Sequence, residues 1–408
     1  MISLWQPPRS GLISNLTASL PPLWDFSRAS SGTQVQSGVL STVGNNVARF
    51  ETSPAGYLNE PQATNLYFPS VNWVPNATAS SSVDGAVQNA ATAPDGTTTA
   101  EKLIPGSFTG VHQFYRTFAG AINTIYEASV YAKAAGWNYV YITLGNSSFA
   151  VDQSVQFDLS NGTILSQSAN ATGAIEQIGN GWYRLSVQNT SLGVAGNYVV
   201  SIIPQLTNVF NIIQTGDAVS GTLVWGEQVQ ASSFPTSYIA TTTAAATQAA
   251  DNLTLDLTQL PNLQTPTGYG VALEFSIINN NQPSVVFFGA SIDTDANNTW
   301  YLRNDTVGGS TARATSWVAG TANSSVYLPL RAAQLTNRAA FSVTPAGIRW
   351  VLNGSAVTDL NMAGQPVMTN MVVGRMPWNT LHVAAMHATT VTLIPGPQSD
   401  AWLSEMAY

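Results

Sequence analysis

Charged side chains are so scarce in this sequence that long solvent-facing helices are disfavoured from the start. Asp, Glu, Lys and Arg make up 8% of 408 residues, where about 25% is ordinary. Lysine occurs only at Lys102 and Lys133. An exposed helix is normally laced with Glu–Lys pairs one turn apart, and there is little here to make them from. The surface must consist of Asn, Ser, Thr, Gln and Gly, which suits twisted sheets joined by hydrogen-bonding loops. With 44% hydrophobic residues the chain still builds real cores. At this length two or three compact units are expected.

The formal net charge is −8. A binder of the phosphate backbone needs clustered Lys and Arg, and here the bases are few and scattered. Nucleic acid and anionic membrane surfaces are therefore not expected partners. No cysteine occurs, which excludes a disulfide scaffold. The opening residues Met1 to Arg9 lack a basic stretch followed by an apolar one, so no signal peptide is expected. No apolar run approaches the roughly 18 residues of a spanning helix. A chain suited to the outside, without an export signal, fits release by cell lysis. Triplets such as Asn146-Ser-Ser and Asn252-Leu-Thr are expected by chance in this composition and carry no weight.

Residues 1–22, punctuated by Pro7, Pro8, Pro21 and Pro22, have no periodicity and are expected to form an extended docking arm. Residues 23–65 suggest two or three brief strands of a β-rich attachment segment. From 66 to 240 the alternation is strong. Tyr126, Ala128, Val130 and Ala132 fall on one face, and Glu127, Ser129, Tyr131 and Lys133 on the other. Segments 139–144, 155–159, 183–187 and 198–203 behave alike. Between them lie the turn signals Asn161-Gly162, Gly179-Asn180-Gly181 and Ala195-Gly196. Short strands at this spacing, with no helix between, predict an antiparallel sandwich or jelly roll. The small-residue stretch 241–250 is the expected linker. Residues 251–408 form a second all-β pattern, with strands over 271–277, 285–288, 300–302, 326–328 and 348–352, the last running into the hairpin signal Asn353-Gly354. A short helical stretch is expected over Ser399–Met406 with Ser399 as N-cap. The fold class is thus all-β: two antiparallel β-sandwiches behind an extended arm.

Several segments resemble one family in the right order. Asp25-Phe-Ser-Arg-Ala-Ser, Ala48-Arg-Phe50 and Glu60-Pro-Gln-Ala-Thr-Asn-Leu66 look like the opening of phage head spike fibre and related tail-fibre proteins. Ala93-Pro-Asp-Gly-Thr-Thr-Thr-Ala-Glu-Lys-Leu103, Ala128-Ser-Val-Tyr-Ala-Lys133, Gly179-Asn-Gly-Trp-Tyr-Arg184 and Trp225-Gly-Glu-Gln-Val229 resemble its jelly-roll module. Phe234-Pro-Thr-Ser-Tyr-Ile239 closes that module, which is similar to a carbohydrate-binding module. Val372-Val-Gly374 and Leu393-Ile-Pro-Gly-Pro-Gln-Ser-Asp-Ala-Trp-Leu403 resemble a concanavalin-like (laminin G-type) sandwich, with Ile394 where an aromatic residue is usual. The resemblance implies a role on the surface of a virion.

Catalytic patterns are missing. A glycosidase needs two carboxylates flanking the scissile bond; Glu127 and Glu176 sit singly in strands. His382 and His387 miss the i, i+4 spacing of a helical zinc pair. No Gly-x-Ser-x-Gly elbow and no phosphate-binding glycine loop occurs. Asp293, Asp295 and Asn297 alternate as oxygen ligands suited to a structural calcium, although the stretch is not an EF-hand loop. No other cofactor is expected. Sugars stack their weakly apolar faces on exposed rings while amides and hydroxyls bind their hydroxyl groups. Trp137, Tyr139 and Tyr141, joined by Trp73, His112 and Tyr131, are the candidates for such contact; Trp182 and Trp225 are expected to be core. The leading expectation is a non-enzymatic head fibre or decoration protein on the virion. It would form homotrimers, dock to capsid or other virion proteins through the arm, and bind host glycans weakly at many sites. A tail fibre or tailspike and a ligand-free cement protein are the alternatives.

Overall fold

The computed structural model describes the chain apart from residues 1–11, 73–77, 80–84, 146–152, 191–195, 210–212, 264–266, 279–284, 293–294, 305–309, 362–366 and 378–381. Strands account for 57% of it and helix for 3%, which is the all-β class expected from the charge scarcity. The chain divides into two compact units. A terminal unit takes Met1–Ser31, Val43–Gln62 and Ala249–Tyr408, and a central unit takes Gly32–Thr42 and Ala63–Gln248.

The terminal unit is built on two eight-stranded antiparallel sheets. One runs in the order Thr358–Asn361, Gly347–Leu352, Thr336–Thr344, Tyr269–Ile277, Met386–Pro395, Ala55–Asn59 and Arg49–Thr52. Leu12–Asn15 pairs with the far half of Met386–Pro395, Leu12 opposite Leu393. The other sheet runs Trp24–Ser27, Asn252–Asp256, Asn370–Val373, Val286–Ser291, Thr299–Arg303, Thr311–Val318 and Thr321–Ser324, with Leu328–Pro329 beside Thr311–Val318. Alternation fills the space between them: Val271, Leu273 and Phe275 point in and meet Phe287, Trp300 and Phe341. On the outer side the helix Asp400–Met406 lays Trp402 and Leu403 against Ala272 and Ala340. Ser399 caps it, its hydroxyl accepting from the Trp402 amide at 3.2 Å, as the sequence predicts.

The central unit holds two six-stranded antiparallel sheets. The back sheet runs Thr172–Gly179, Trp182–Thr190, Ile125–Ala135, Gly221–Gln230, Ala100–Ile104 and Gly85–Ala91. The front sheet runs Thr163–Gln167, Gln153–Asp158, Tyr139–Gly145, Gly196–Gln205, Phe114–Gly120 and Thr78–Ala79. Between them lie Val130, Val140, Ile142, Phe157, Leu185 and Tyr198 among others. Asn180 and Gly181, both at positive φ, make the tight turn from Thr172–Gly179 into Trp182–Thr190. The outer side of the back sheet is covered: Tyr131, Trp182, Trp225 and Tyr238 form a second core with Leu40 of the Gly32–Gln36/Val39–Val43 hairpin.

Three sequence expectations are corrected by this arrangement. From Leu12 onward the arm is part of a sheet: Leu16 is buried and Trp24 Nε1 donates to Ser14 Oγ at 2.8 Å. Segment 23–65 is not a unit of its own, because Trp24–Ser27, Arg49–Thr52 and Ala55–Asn59 complete the terminal sheets while residues 32–42 belong to the central unit. The stretch 241–250 is ordered, with Ala246–Gln248 paired to Ala63–Asn65 and the Thr241 hydroxyl donating to the Tyr67 carbonyl at 2.6 Å. The change of unit does fall inside that stretch, between Gln248 and Ala249. In the second half, the strand expected over 326–328 shortens to Leu328–Pro329, leaving Val326 and Tyr327 exposed.

Distant segments of the terminal unit are joined by buried charge. Asp251 accepts from Arg28 Nη1 at 3.0 Å, from Arg49 Nη2, and from the Glu60 amide at 2.9 Å. Arg49 Nη1 reaches Glu60 Oε2 at 2.7 Å. The side chains of Arg28, Arg49 and Asp251 are fully buried. Removing one member leaves an uncompensated buried charge, which costs about 3–5 kcal/mol. An Arg49→Met variant should therefore lose about that much in urea denaturation. Arg349 pairs with Asp359 and Asp400 in the open, and Arg349→Met should change stability by less than about 1 kcal/mol.

Candidate functional site

The strand Tyr139–Gly145 enters the front sheet through a corner that only glycine fits. Gly136 has φ of +110°, and a Cβ there would lie 2.6 Å from the Ser220 Cβ. Beyond that corner, alternation sends Val140, Ile142 and Leu144 into the core and Tyr139, Tyr141 and Thr143 to the outer side. Register then lays out three rows across the sheet. Tyr139 stands between Asp158 and Gln205, Tyr141 between Gln156 and Ile203, and Thr143 between Ser154 and Ser201. Tyr115 lies opposite Ser201 on the next strand, so it extends the third row. Cross-strand neighbours of this kind are about 4.5–5.5 Å apart.

The floor of this face is closed and, apart from Ile203, polar. Gln156, Ser201 and Gln205 are buried. The chain beyond Gln205 folds over them: Gln156 Nε2 donates to the Thr207 carbonyl at 3.4 Å, and the Gln214 side chain ties Pro204 and Leu206. The rim is half-buried and consists of Gln113, Tyr115, Tyr139, Tyr141 and Thr143. Two rim side chains are oriented by floor hydroxyls. Tyr141 Oη donates to Ser154 Oγ at 2.6 Å, and Gln113 Nε2 donates to Ser201 Oγ at 2.5 Å. No described residue engages the hydroxyls of Tyr115 and Tyr139. Half-exposed rings beside pre-oriented amide and hydroxyl groups can stack against an apolar face and hydrogen-bond a polyol. At the edge, Asp158 accepts from Ser160 and Asn161. Burial pushes its carboxyl up, but those hydrogen bonds outweigh it and hold the group below the usual range.

Of the aromatic candidates from the sequence, Tyr139 and Tyr141 stand together on this rim. Tyr131 is on the covered side of the back sheet, packed edge-on to Trp225 at 5.5 Å between centroids. Trp137 is buried at the corner. His112 is buried against Phe108, and its Nε2 lies 3.2 Å from the Gln214 carbonyl. Trp73 lies outside the described residues. Gln113, Tyr115 and Thr143 were missed, although Phe114-Tyr-Arg-Thr-Phe118 carries the alternation that puts Tyr115 outward. Of the calcium candidates, Asp293 lies outside the described residues. Asp295 is engaged by its own turn, accepting from the Asn297 amide at 2.8 Å and from Asn298 Nδ2 at 2.7 Å. Among the described residues no three His, Cys, Asp or Glu side chains gather as metal ligands.

Two carboxylates of the central unit are enclosed. Glu127 is 1% exposed and Glu227 is 3% exposed, so neither faces the rim. Burial raises the Glu127 carboxyl to about 8, against the pull of Arg184 and Ser186. Burial, reinforced by the charge of Glu101, pushes Glu227 well above the usual carboxylate range.

No family model matches the chain, and no curated protein matches it. Solved structures similar to parts of it include the CBM40 domain of the Ruminococcus gnavus IT-sialidase, at 10% identity and TM-score 0.30, over 38% of this chain and 93% of that one. The NanB sialidase from Streptococcus pneumoniae is similar at 14% identity and TM-score 0.30, over 37% of this chain and only 26% of the sialidase. Domain 4 of the Geobacillus stearothermophilus arabinanase AbnA, solved with arabinotriose, is similar at 14% identity and TM-score 0.28, over 43% and 82% of the two chains. At these scores the likenesses assign neither a family nor a ligand to this chain.

The raised Glu127 carboxyl makes stability depend on pH. Below its ordinary 4.5 both folded and unfolded forms are protonated. Above 4.5 the unfolded chain gives up this proton while the folded chain keeps it, so stability falls as pH rises and the loss is complete above about 8. Glu127→Gln should therefore melt with the parent near pH 4 and several degrees above it at pH 8.5, as followed by circular dichroism.

Proposed function

We propose that this chain is a non-enzymatic, glycan-binding β-sandwich protein of a bacteriophage particle surface. The observation that carries the binding role is the rim of the front sheet, where Tyr115, Tyr139 and Tyr141 stand half-buried beside Gln113 and Thr143 over a hydrogen-bonded polar floor. Rings so placed accept the apolar face of a sugar, and the rim amide and hydroxyls satisfy its hydroxyl groups. The open rim favours a weak single contact, and a particle carrying many copies supplies avidity without a tighter site. A closed trimer, attached to capsid or other virion proteins through its N-terminal residues, fits that use. At the rim the described carboxylate is Asp158, at one edge and held by its own turn; a glycosidase needs two flanking the bond, which supports binding rather than hydrolysis. The segments from Asp25 to Ile239 that resemble phage fibre proteins support the placement on a virion.

The test pairs gold-labelled antibody microscopy of intact particles with retention of the purified chain on host polysaccharide. Head labelling with retention is the expected result. Retention should fall about three- to tenfold for each of Tyr139→Ala and Tyr141→Ala, the equivalent of about 0.5–1.5 kcal/mol of ring contact, with both variants still folded by circular dichroism. Head labelling without retention would leave a cement role, and labelling at the tail tip would make receptor recognition the main function.

A further inference from the structure

The charge inventory of the central unit narrows the class of sugar, given the glycan-binding reading above. Within Gly32–Thr42 and Ala63–Gln248 there are four bases, Lys102, Arg116, Lys133 and Arg184, against nine acids. All four bases are described, and each is held away from the rim. Lys102 Nζ donates to the Val219 carbonyl at 2.8 Å and Lys133 Nζ to the Asn180 carbonyl at 2.7 Å. Arg184 is buried behind the back sheet, donating to the Thr236 carbonyl at 2.6 Å and Ser129 Oγ at 3.2 Å. Arg116 is on a front-sheet strand, but opposite Val200, whose side chain is in the core. Its guanidinium lies over the Tyr67 ring at 4.7 Å and donates to the Phe68 and Pro69 carbonyls.

A carboxylated, sulfated or phosphorylated sugar is recognised through charge-assisted hydrogen bonds from Arg or Lys. The rim has none to give, and Asp158 closes one end of its first row as an anion. We infer that the front-sheet rim selects uncharged glycans and discriminates against acidic ones. Recognition falls to the three tyrosine rings and to neutral donors and acceptors, Gln113, Thr143 and the free hydroxyls of Tyr115 and Tyr139. Such contacts are insensitive to salt, because no ion pair is screened.

The experiment measures retention of the full chain on neutral polysaccharides (a glucan, a galactan, a mannan) and acidic ones (polysialate, alginate, heparin), with Tyr139→Ala and Thr143→Arg alongside. The expected result is retention on at least one neutral polymer, about tenfold or more above every acidic one. It should change less than about twofold between 0.05 and 0.5 M salt and fall about three- to tenfold in Tyr139→Ala. Thr143→Arg, which adds a cation to the third row, should gain retention on an acidic polymer. Retention on an acidic polymer that Tyr139→Ala removes would overturn the charge inference while leaving the rim as the glycan site. Retention on no polymer at all would overturn both this inference and glycan binding. Neutral retention unchanged in both variants would also overturn it, by moving the ligand off this face.

Discussion

The terminal unit depends on one buried cluster of charge, Arg28, Arg49, Glu60 and Asp251. Asp251 accepts from two guanidinium groups and one backbone amide, so a single carboxylate joins three stretches that are far apart in sequence. Arg28 extends the same web to the Ser30 and Gly44 carbonyls at 2.9 and 3.0 Å. Two cations meet two anions, so the cluster is neutral as a whole and every charge has a partner. Buried pairs of this kind gain little net stability, because desolvation offsets much of the attraction. Their effect is on arrangement. Any pairing that separates Asp251 from its arginines strands charge in the core. The strands before Ser31 and after Val43 are thereby committed to the same unit as the chain beyond Ala249.

The scarcity of charge that forces this economy also shapes the front sheet. With four bases in the whole central unit, the outer face of its front sheet is made largely of hydroxyls, amides and phenols. On the back sheet the outer side is sealed into a second core by the Gly32–Gln36/Val39–Val43 hairpin and the segment that ends at Tyr238. On the front sheet the floor is closed by the chain beyond Gln205, while the tyrosine rim remains accessible. Floor hydroxyls hold two of the rim side chains, Gln113 and Tyr141, in fixed orientations, which lowers the entropy cost of engaging a ligand. Binding capacity therefore arises from side chains that strand alternation puts outward and that stay half-exposed.

Much of the fold was legible because strand alternation is a local signal. The inward set Tyr126, Ala128, Val130 and Ala132, the turn at Asn180-Gly181 and the Ser399 cap all follow from residues within a few positions of one another. The placement of 12–65 was not legible. Leu12–Asn15 pairs with residues near 390 and Trp24–Ser27 with residues near 253, and short strands with such distant partners leave no periodic trace of where they dock. The site was half legible for a related reason. Alternation assigns Tyr131 and Tyr139 alike to faces turned away from the inner core. Which of those faces is then covered depends on a hairpin and a returning segment far away in sequence.

By itself, then, the sequence determined an all-β chain with neutral polar surfaces, its main strands, and the faces those strands turn inward. These properties rest on composition and on side chains alternating every two residues. The tertiary structure decided which segments share a unit, which outer face is sealed, and that Tyr139 and Tyr141 rather than Tyr131 or Trp137 line a rim. Those outcomes rest on long-range pairing and on where buried charge finds its partner, and both come into being only when distant parts of the chain meet.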